Sequence, residues 1–139
     1  MSTSARDLMT RDPACCTTNT TLDEVAALRV QHNCGEIPVI DVGERVVGVV
    51  TDRDIVCRVV AEGKNPMAYT AETCMSQPAV TVGEDAPFDE VMATMEEHQI
   101  RRLPVVDERG CCSGIIAQAD LARRASEHSV AELVREVSK

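Results

Sequence analysis

The sequence predicts an α/β protein in which two β-α-β-β-α repeats pack together as one pseudo-twofold body. The first observation is self-similarity: after a shift of 66 residues, Leu22–Ile55 overlays Phe88–Leu121 without a gap, and ten of the 34 aligned positions are identical. Chance would give about two or three identities at ordinary composition. The second observation is a hydrophobic content of 44%, which supports a packed core. Because one repeat of about 60 residues buries little core on its own, we expect the repeats to share one body.

Each repeat opens with a short helical turn, then a proline, then a short strand. The turns are predicted at Ala5–Met9 and Ala71–Met75, which meet under the same shift. The strands are predicted at Ala14–Thr17 and Ala79–Val82.

An amphipathic helix follows in each repeat. Its predicted bounds are Leu22–His32 in the first repeat and Phe88–His98 in the second, with apolar residues at i, i+3 and i+4 spacing. Thr20 or Thr21 is available as the N-cap of the first helix, and Gly35 is a plausible stop signal after it.

Two short apolar runs separated by a polar turn then predict a β-hairpin in each repeat. The strands are Ile37–Ile40 and Val46–Val50 in the first repeat, and Leu103–Val106 and Cys111–Ile116 in the second. Closing helices are predicted near Asp52–Ala61 and Gln118–Ser126, and a last helix at Val130–Val137. The predicted division is a first domain at 5–61, a linker at 62–70, a second domain at 71–126 and a C-terminal helix within 127–139.

Composition narrows the classes of function. A formal net charge of −9 argues against a nucleic-acid binder, which neutralises phosphates with Lys and Arg. No membrane span and no secretory signal is visible, so we expect a soluble cytoplasmic protein. The only aromatic residues are Tyr69 and Phe88, so aliphatic side chains and prolines would have to enclose a planar ligand. No recognisable catalytic motif is present, and we expect no enzymatic activity.

The strand-to-helix junctions carry the most specific pattern in the chain. The first reads Gly48-Val-Val-Thr-Asp-Arg-Asp54 and the second Gly114-Ile-Ile-Ala-Gln-Ala-Asp120. The first resembles the ribose-binding motif of cystathionine-β-synthase-type (CBS) domains, and Arg101–Asp107 looks like that family's second strand. The resemblance covers nearly the whole chain. It is closest to stand-alone, hypoxic-response-type CBS-pair proteins of bacteria, especially in Glu96–Val106.

The resemblance implies a regulatory module that binds an adenine nucleotide in a cleft between paired domains. AMP or ATP would be the main candidates, with ADP, NAD or S-adenosylmethionine as further possibilities. Asp54 would accept hydrogen bonds from the ribose hydroxyls, Thr51 would contact ribose or phosphate, and Arg53 would contact phosphate. The remaining implied contacts are Ile37, Pro38, Leu103 and Pro104 around adenine, Arg101 or Arg102 on phosphate, and Asp120 in a second cleft. The resemblance also implies a homodimer or a partner protein for the readout.

A structural role competes with ribose binding at these junctions. Thr51 and Asp54 have the spacing of a capping box, in which hydroxyl and carboxylate satisfy backbone donors reciprocally. Asp120 persists although Ala117 lacks the capping hydroxyl, and Ala119 replaces the arginine, so the two sites should not be equivalent.

Seven cysteines leave open a redox- or metal-responsive function based on the vicinal pairs Cys15-Cys16 and Cys111-Cys112. We expect reduced thiols in the cytosol and no native metal, since a tetrahedral site would need further ligands, such as His32, His98 or His128. Cys34 and Cys74 replace apolar residues of the other repeat, which predicts small core side chains, and Cys57 is predicted on a helix surface. A third possibility is an interaction module whose clefts stay empty.

Overall fold

Two β-sheets, each flanked by helices, make up residues 3–124, the part of the chain that the computed structural model describes. In the first half the elements are α1 (Ala5–Leu8), β1 (Thr10–Arg11), β2 (Cys16–Thr17), α2 (Leu22–Gln31), β3 (Glu36–Ile40), β4 (Val46–Thr51) and α3 (Asp52–Ile55), which one π-helical turn (Val56–Val60) continues. In the second half they are α4 (Ala71–Cys74), β5 (Val82–Gly83), α5 (Phe88–His98), β6 (Arg102–Val106), β7 (Cys112–Ala117) and helical residues 118–124. The predicted α/β fold with two repeats is confirmed; the predicted helix Val130–Val137 lies outside the described residues.

Both hairpins form as predicted, and one shared residue explains their turns. The strand orders are β2-β3-β4 in one sheet and β1-β7-β6-β5 in the other; β2 pairs parallel with β3, and β5 pairs parallel with β6. In the first hairpin the Asp41 carboxylate accepts hydrogen bonds from the backbone N–H groups of Gly43 (2.9 Å) and Arg45 (3.0 Å). Asp107 does the same in the second hairpin. The aspartate is therefore identical in both repeats because it closes the turn.

The opening segment of each repeat packs in the other repeat. Ala5 and Leu8 of α1 are buried in the core that β6, β7 and α5 form, and β1 pairs with β7. Reciprocally, Ala71, Cys74 and Met75 are buried in the core of the first repeat. The second sheet thus has four strands where the sequence predicts three. Each hydrophobic core contains residues of both repeats, as expected for one pseudo-symmetric body.

Two glycines make room for this exchange. A Cβ atom on Gly48 would lie 2.6 Å from the Met75 sulfur and 2.9 Å from the Ser76 carbonyl oxygen. A Cβ atom on Gly114 would lie 2.6 Å from the Met9 sulfur and 2.7 Å from the Thr10 carbonyl oxygen. Real Cβ contacts are longer than this, so β4 and β7 each need glycine where the opening segment of the other repeat crosses the strand.

Helix ends differ in detail from the sequence prediction. Thr21 is the N-cap residue of α2, but its side chain makes no capping hydrogen bond, and the Thr20 hydroxyl accepts from the backbone of Thr17 instead. The helix ends at Gln31, so Gly35 is not its stop signal. Within residues 3–124, no helix is long and apolar enough to cross a membrane.

Candidate functional site

The first strand-to-helix junction forms a complete capping box. The Thr51 backbone N–H donates to the Asp54 carboxylate over 3.0 Å, and the Asp54 backbone N–H donates to the Thr51 hydroxyl over 3.2 Å. The second carboxylate oxygen of Asp54 accepts a 2.9 Å hydrogen bond from the Ser76 hydroxyl. Asp54 is buried, with 6% of its surface exposed. This carboxylate therefore caps α3. It also holds the part of the second repeat's opening segment that crosses β4 at Met75 and Ser76, called the crossing segment below.

Arg58 completes the attachment of that segment. Its guanidinium donates hydrogen bonds to the carbonyl oxygens of Cys74 (3.1 Å) and Met75 (3.0 Å). A guanidinium nitrogen also lies 4.0 Å from the Asp54 carboxylate. Because the carbonyls follow the short helix α4, the arginine satisfies acceptors that the helix itself leaves open.

The second junction is simpler, as predicted. The Ala117 backbone N–H donates to Asp120 over 2.9 Å, but no hydroxyl returns the hydrogen bond. The other Asp120 oxygen pairs with Arg123 at 2.6 Å. Asp120 is more exposed than Asp54, with 19% of its side chain accessible. An open cavity of about 210 Å³ beside it is lined by Asp7, Leu8, Asp120, Arg123 and Arg124.

A buried charge lies next to the first junction. Glu36 opens β3 and pairs with Thr51, in the register that Arg102 and Ala117 share in the second repeat. Only 5% of Glu36 is exposed, and its Oε1 atom has no hydrogen-bond partner among the described residues. Burial raises the pKa of Glu36 to about 7; Arg102 lowers that pKa, and Asp54 raises it further. At neutral pH this carboxyl group is therefore close to its midpoint of ionisation.

The arginines that the sequence proposed for phosphate contacts lie in different settings. The Arg102 guanidinium lies directly against Gly35, where any Cβ atom would overlap it. Glycine at position 35 lets the guanidinium lie this close, and the position is not a helix end. Arg101 and Arg53 are exposed. Arg102 is the first residue of β6, whereas Arg101 precedes the strand.

The residues proposed around adenine are buried. Ile37 and Leu103 point into the two separate hydrophobic cores, with 1% and 0% exposure, so only their backbone atoms could line a ligand slot. Pro38 and Pro104 are also fully buried. Because strand residues alternate between faces, each proline lies on the opposite face of its strand from the core residue, Pro38 together with Glu36 in β3 and Pro104 together with Arg102 in β6.

The Cys15 and Cys112 thiols of the two repeats influence each other. The Cys112 thiol lowers the pKa of Cys15, while burial raises the pKa of Cys16 to about 12. The thiols themselves donate to backbone carbonyl oxygens, Cys15 to Pro13 and Cys112 to Gly114. Cys74 is buried and Cys57 is exposed, which confirms the predictions for both. Within residues 3–124, no group of three or more His, Cys, Asp or Glu side chains could hold a metal ion. The thiol-based alternative stays a prediction.

Sequence reasoning missed three residues of this region: Glu36, Arg58 and Ser76. Glu36 had a visible signal, because a glutamate directly before a buried strand occupies the position that Arg102 holds in the second repeat. Arg58 and Ser76 had none, since their partners depend on the crossing of segments between repeats.

Comparisons with known proteins agree with this architecture. The family model described as CBS domain matches residues 5–61 and 71–127. Hypoxic response protein 1 of Mycobacterium tuberculosis is 35% identical over 135 residues, covering 97% of this chain and 94% of that protein. The crystal structure of that protein type with two coordinated zinc ions superposes with a TM-score of 0.80 at 36% identity, covering 87% of this chain and 98% of the other. The CBS domain pair of protein MJ0100, solved with 5′-methylthioadenosine and S-adenosyl-L-methionine, superposes with a TM-score of 0.82 at 28% identity. The match covers 92% of this chain and 99% of the other.

Proposed function

Because the chain belongs to the CBS domain family, we propose that it is a regulatory module that binds an adenine nucleotide or a related adenosyl compound between its repeats. One observation carries the proposal: Glu36, with an oxygen atom that has no hydrogen-bond partner in residues 3–124, is buried beside the Thr51–Asp54 junction. A buried polar atom without a partner is unfavourable, so an external hydrogen-bond donor would stabilise this place. The adenosyl ligands of the MJ0100 domain pair, which is similar in fold and sequence, support this class of ligand.

In this proposal Asp54 exchanges partners. Its Oδ1 atom accepts from the Ser76 hydroxyl in the structure, and a ribose hydroxyl of the ligand would take the place of that donor. Ser76 belongs to the crossing segment of the second repeat, so ligand binding would loosen that attachment. The crossing segment would then have an attached and a loosened arrangement, and a ligand shifts the equilibrium between them by its difference in affinity for the two. Ligand binding at the site would in this way change the packing of the repeats.

The signal would leave the molecule through a homodimer or a partner protein. Val56 and Val60 are exposed by 56% and 67% on the helix that follows the junction, directly after Asp54 and its cap. Apolar side chains on this helix would support an interface that responds to the junction, since exposed apolar patches often mark interaction surfaces.

Calorimetric titration of AMP, ATP, adenosine and S-adenosylmethionine into the ligand-free chain tests the proposal. We expect at least one compound to bind and to raise the melting temperature with its concentration. Asp54→Ala should weaken that binding about 10- to 150-fold, because hydrogen bonds to a charged acceptor are lost. Asp120→Ala is the matched control and should weaken it less. If none of the four compounds releases heat or changes the melting temperature, the proposed function is wrong.

A further inference from the structure

Glu36 is one of two charged residues that are buried in residues 3–124; the other is Asp54. Both carboxylate oxygens of Asp54 are engaged, one by the Thr51 N–H and the other by the Ser76 hydroxyl. Glu36 differs, because its Oε1 atom meets no donor within the described part of the chain. Burial of an unpaired carboxylate oxygen destabilises a fold, so this group is not explained as a packing residue.

The charges around Glu36 do not neutralise it. Arg102 on β6 lowers the pKa of Glu36, but no ion pair within 4.0 Å joins the two in residues 3–124, and the guanidinium instead lies against Gly35. Asp54 on α3 adds a second negative charge. Glu36 also acts on the Cys112 thiol on β7 and raises its pKa. The region next to the first junction is therefore acidic where the second repeat, at the equivalent strand position, presents an arginine.

The difference between Glu36 in the first repeat and Arg102 in the second affects which ligands the first junction can accept. A carboxylate attracts N–H donors and positive charge and repels a phosphate, and the repulsion is strong because the surroundings exclude water. We propose that Glu36 makes the first junction selective for adenosine compounds with a neutral or cationic substituent over compounds that present a phosphate there. The inference rests on the proposed function and narrows its ligand class.

Ionisation of Glu36 gives the selectivity a pH dependence. With a pKa of about 7, the carboxyl group is mostly charged at pH 8 and mostly neutral at pH 6. The neutral acid offers an O–H donor and no longer repels phosphate. Discrimination against AMP relative to adenosine should therefore be larger at pH 8 than at pH 6. The phosphate of AMP also gains a proton near pH 6, and this protonation by itself changes the affinity for AMP. A variant without the Glu36 carboxyl group measures that contribution alone.

The experiment titrates adenosine, AMP and S-adenosylmethionine into the full chain and into Glu36→Gln at pH 8 and pH 6. Glutamine keeps the shape and removes the charge. In the wild type at pH 8, adenosine and S-adenosylmethionine should bind more tightly than AMP. Glu36→Gln should lower the ratio of the adenosine affinity to the AMP affinity by about tenfold, and it should lower the affinity for S-adenosylmethionine several-fold. Glu24→Gln, an exposed glutamate on α2, is the matched control and should change none of the affinities.

Each result decides the matter. An adenosine to AMP ratio that is the same in Glu36→Gln and in the wild type overturns the selectivity, while the proposed function stands. No binding of any of the three compounds to the wild type overturns the proposed function, and the selectivity with it. The wild-type titrations at the two pH values do not depend on the folding of a variant: a ratio that stays constant or falls from pH 6 to pH 8 contradicts the inference.

Discussion

A single carboxylate has two different environments in the two repeats. Asp54 is buried, caps α3 and accepts from the Ser76 hydroxyl of the crossing segment. Asp120 accepts one backbone N–H and pairs with the exposed Arg123. The same residue in the same motif thus secures the fold more strongly in the first repeat. The capping role that the sequence offered as an alternative is present in the structure, and ribose binding by Asp54 stays a prediction.

Asp54→Ala should lower the free energy of unfolding of the ligand-free protein by about 2 kcal/mol, because a helix cap and a buried hydrogen bond are lost together. Asp120→Ala should lower it by about 1 kcal/mol or less, since its second partner is a solvent-exposed arginine. Urea denaturation followed by circular dichroism measures both. Equal stability of Asp54→Ala and wild type would show that the cap and the Ser76 contact contribute nothing.

Local sequence signals made the helices and strands predictable, whereas the contacts between the repeats could not be predicted. Helix α5 has the predicted bounds, because its apolar spacing and acidic first turn leave little alternative. Strand β1 is two residues long, and its partner β7 lies near the other end of the chain, so only tertiary packing selects the pair. The identity of Gly48 and Gly114 was visible in the sequence, but the reason for it, a crossing backbone, was not. The unpaired state of Glu36 likewise depends on where Arg102 packs.

Gly48→Ala tests the crossing at the level of the strand. The added methyl group would meet the Met75 sulfur and the Ser76 carbonyl oxygen, so the crossing segment must move. We expect the free energy of unfolding to fall by about 1–3 kcal/mol, as for other overpacked cores. Gly83→Ala in β5 is the matched control, because nothing lies within 4 Å of its added atom, and it should change stability by less than about 0.5 kcal/mol. Similar unfolding midpoints for the two variants would contradict this packing.

At the scale of the whole molecule, neither repeat is complete without the other. The core of the second repeat needs Ala5 and Leu8, and the core of the first needs Ala71, Cys74 and Met75. Backbone hydrogen bonds follow the same exchange: Val49 and Ser76 pair in both directions, at 3.1 and 2.8 Å. Loss of one opening segment would expose a core and also remove an edge strand or bridge.

Two fragments cut in the exposed linker, residues 1–63 and 64–139, should therefore each fail to fold alone. Each would lack the segment that closes its core, and a domain of this size has little stability to lose. Circular dichroism and urea unfolding should show no cooperative transition for either fragment, and an equimolar mixture should recover one. A separate fragment that unfolds cooperatively at the midpoint of the whole chain would be incompatible with the exchange.

The exchange of opening segments also changes how folding depends on concentration. A chain with one repeat could close its core only by taking the segment of a second chain, so its folded population would follow the law of mass action. Joining the repeats through residues 62–70 makes the same event unimolecular. A short connection of this kind provides an effective concentration of about a millimolar, far above that of most proteins in a cell. The tandem chain thus stays folded on dilution, and the length of its linker becomes a means of tuning that stability.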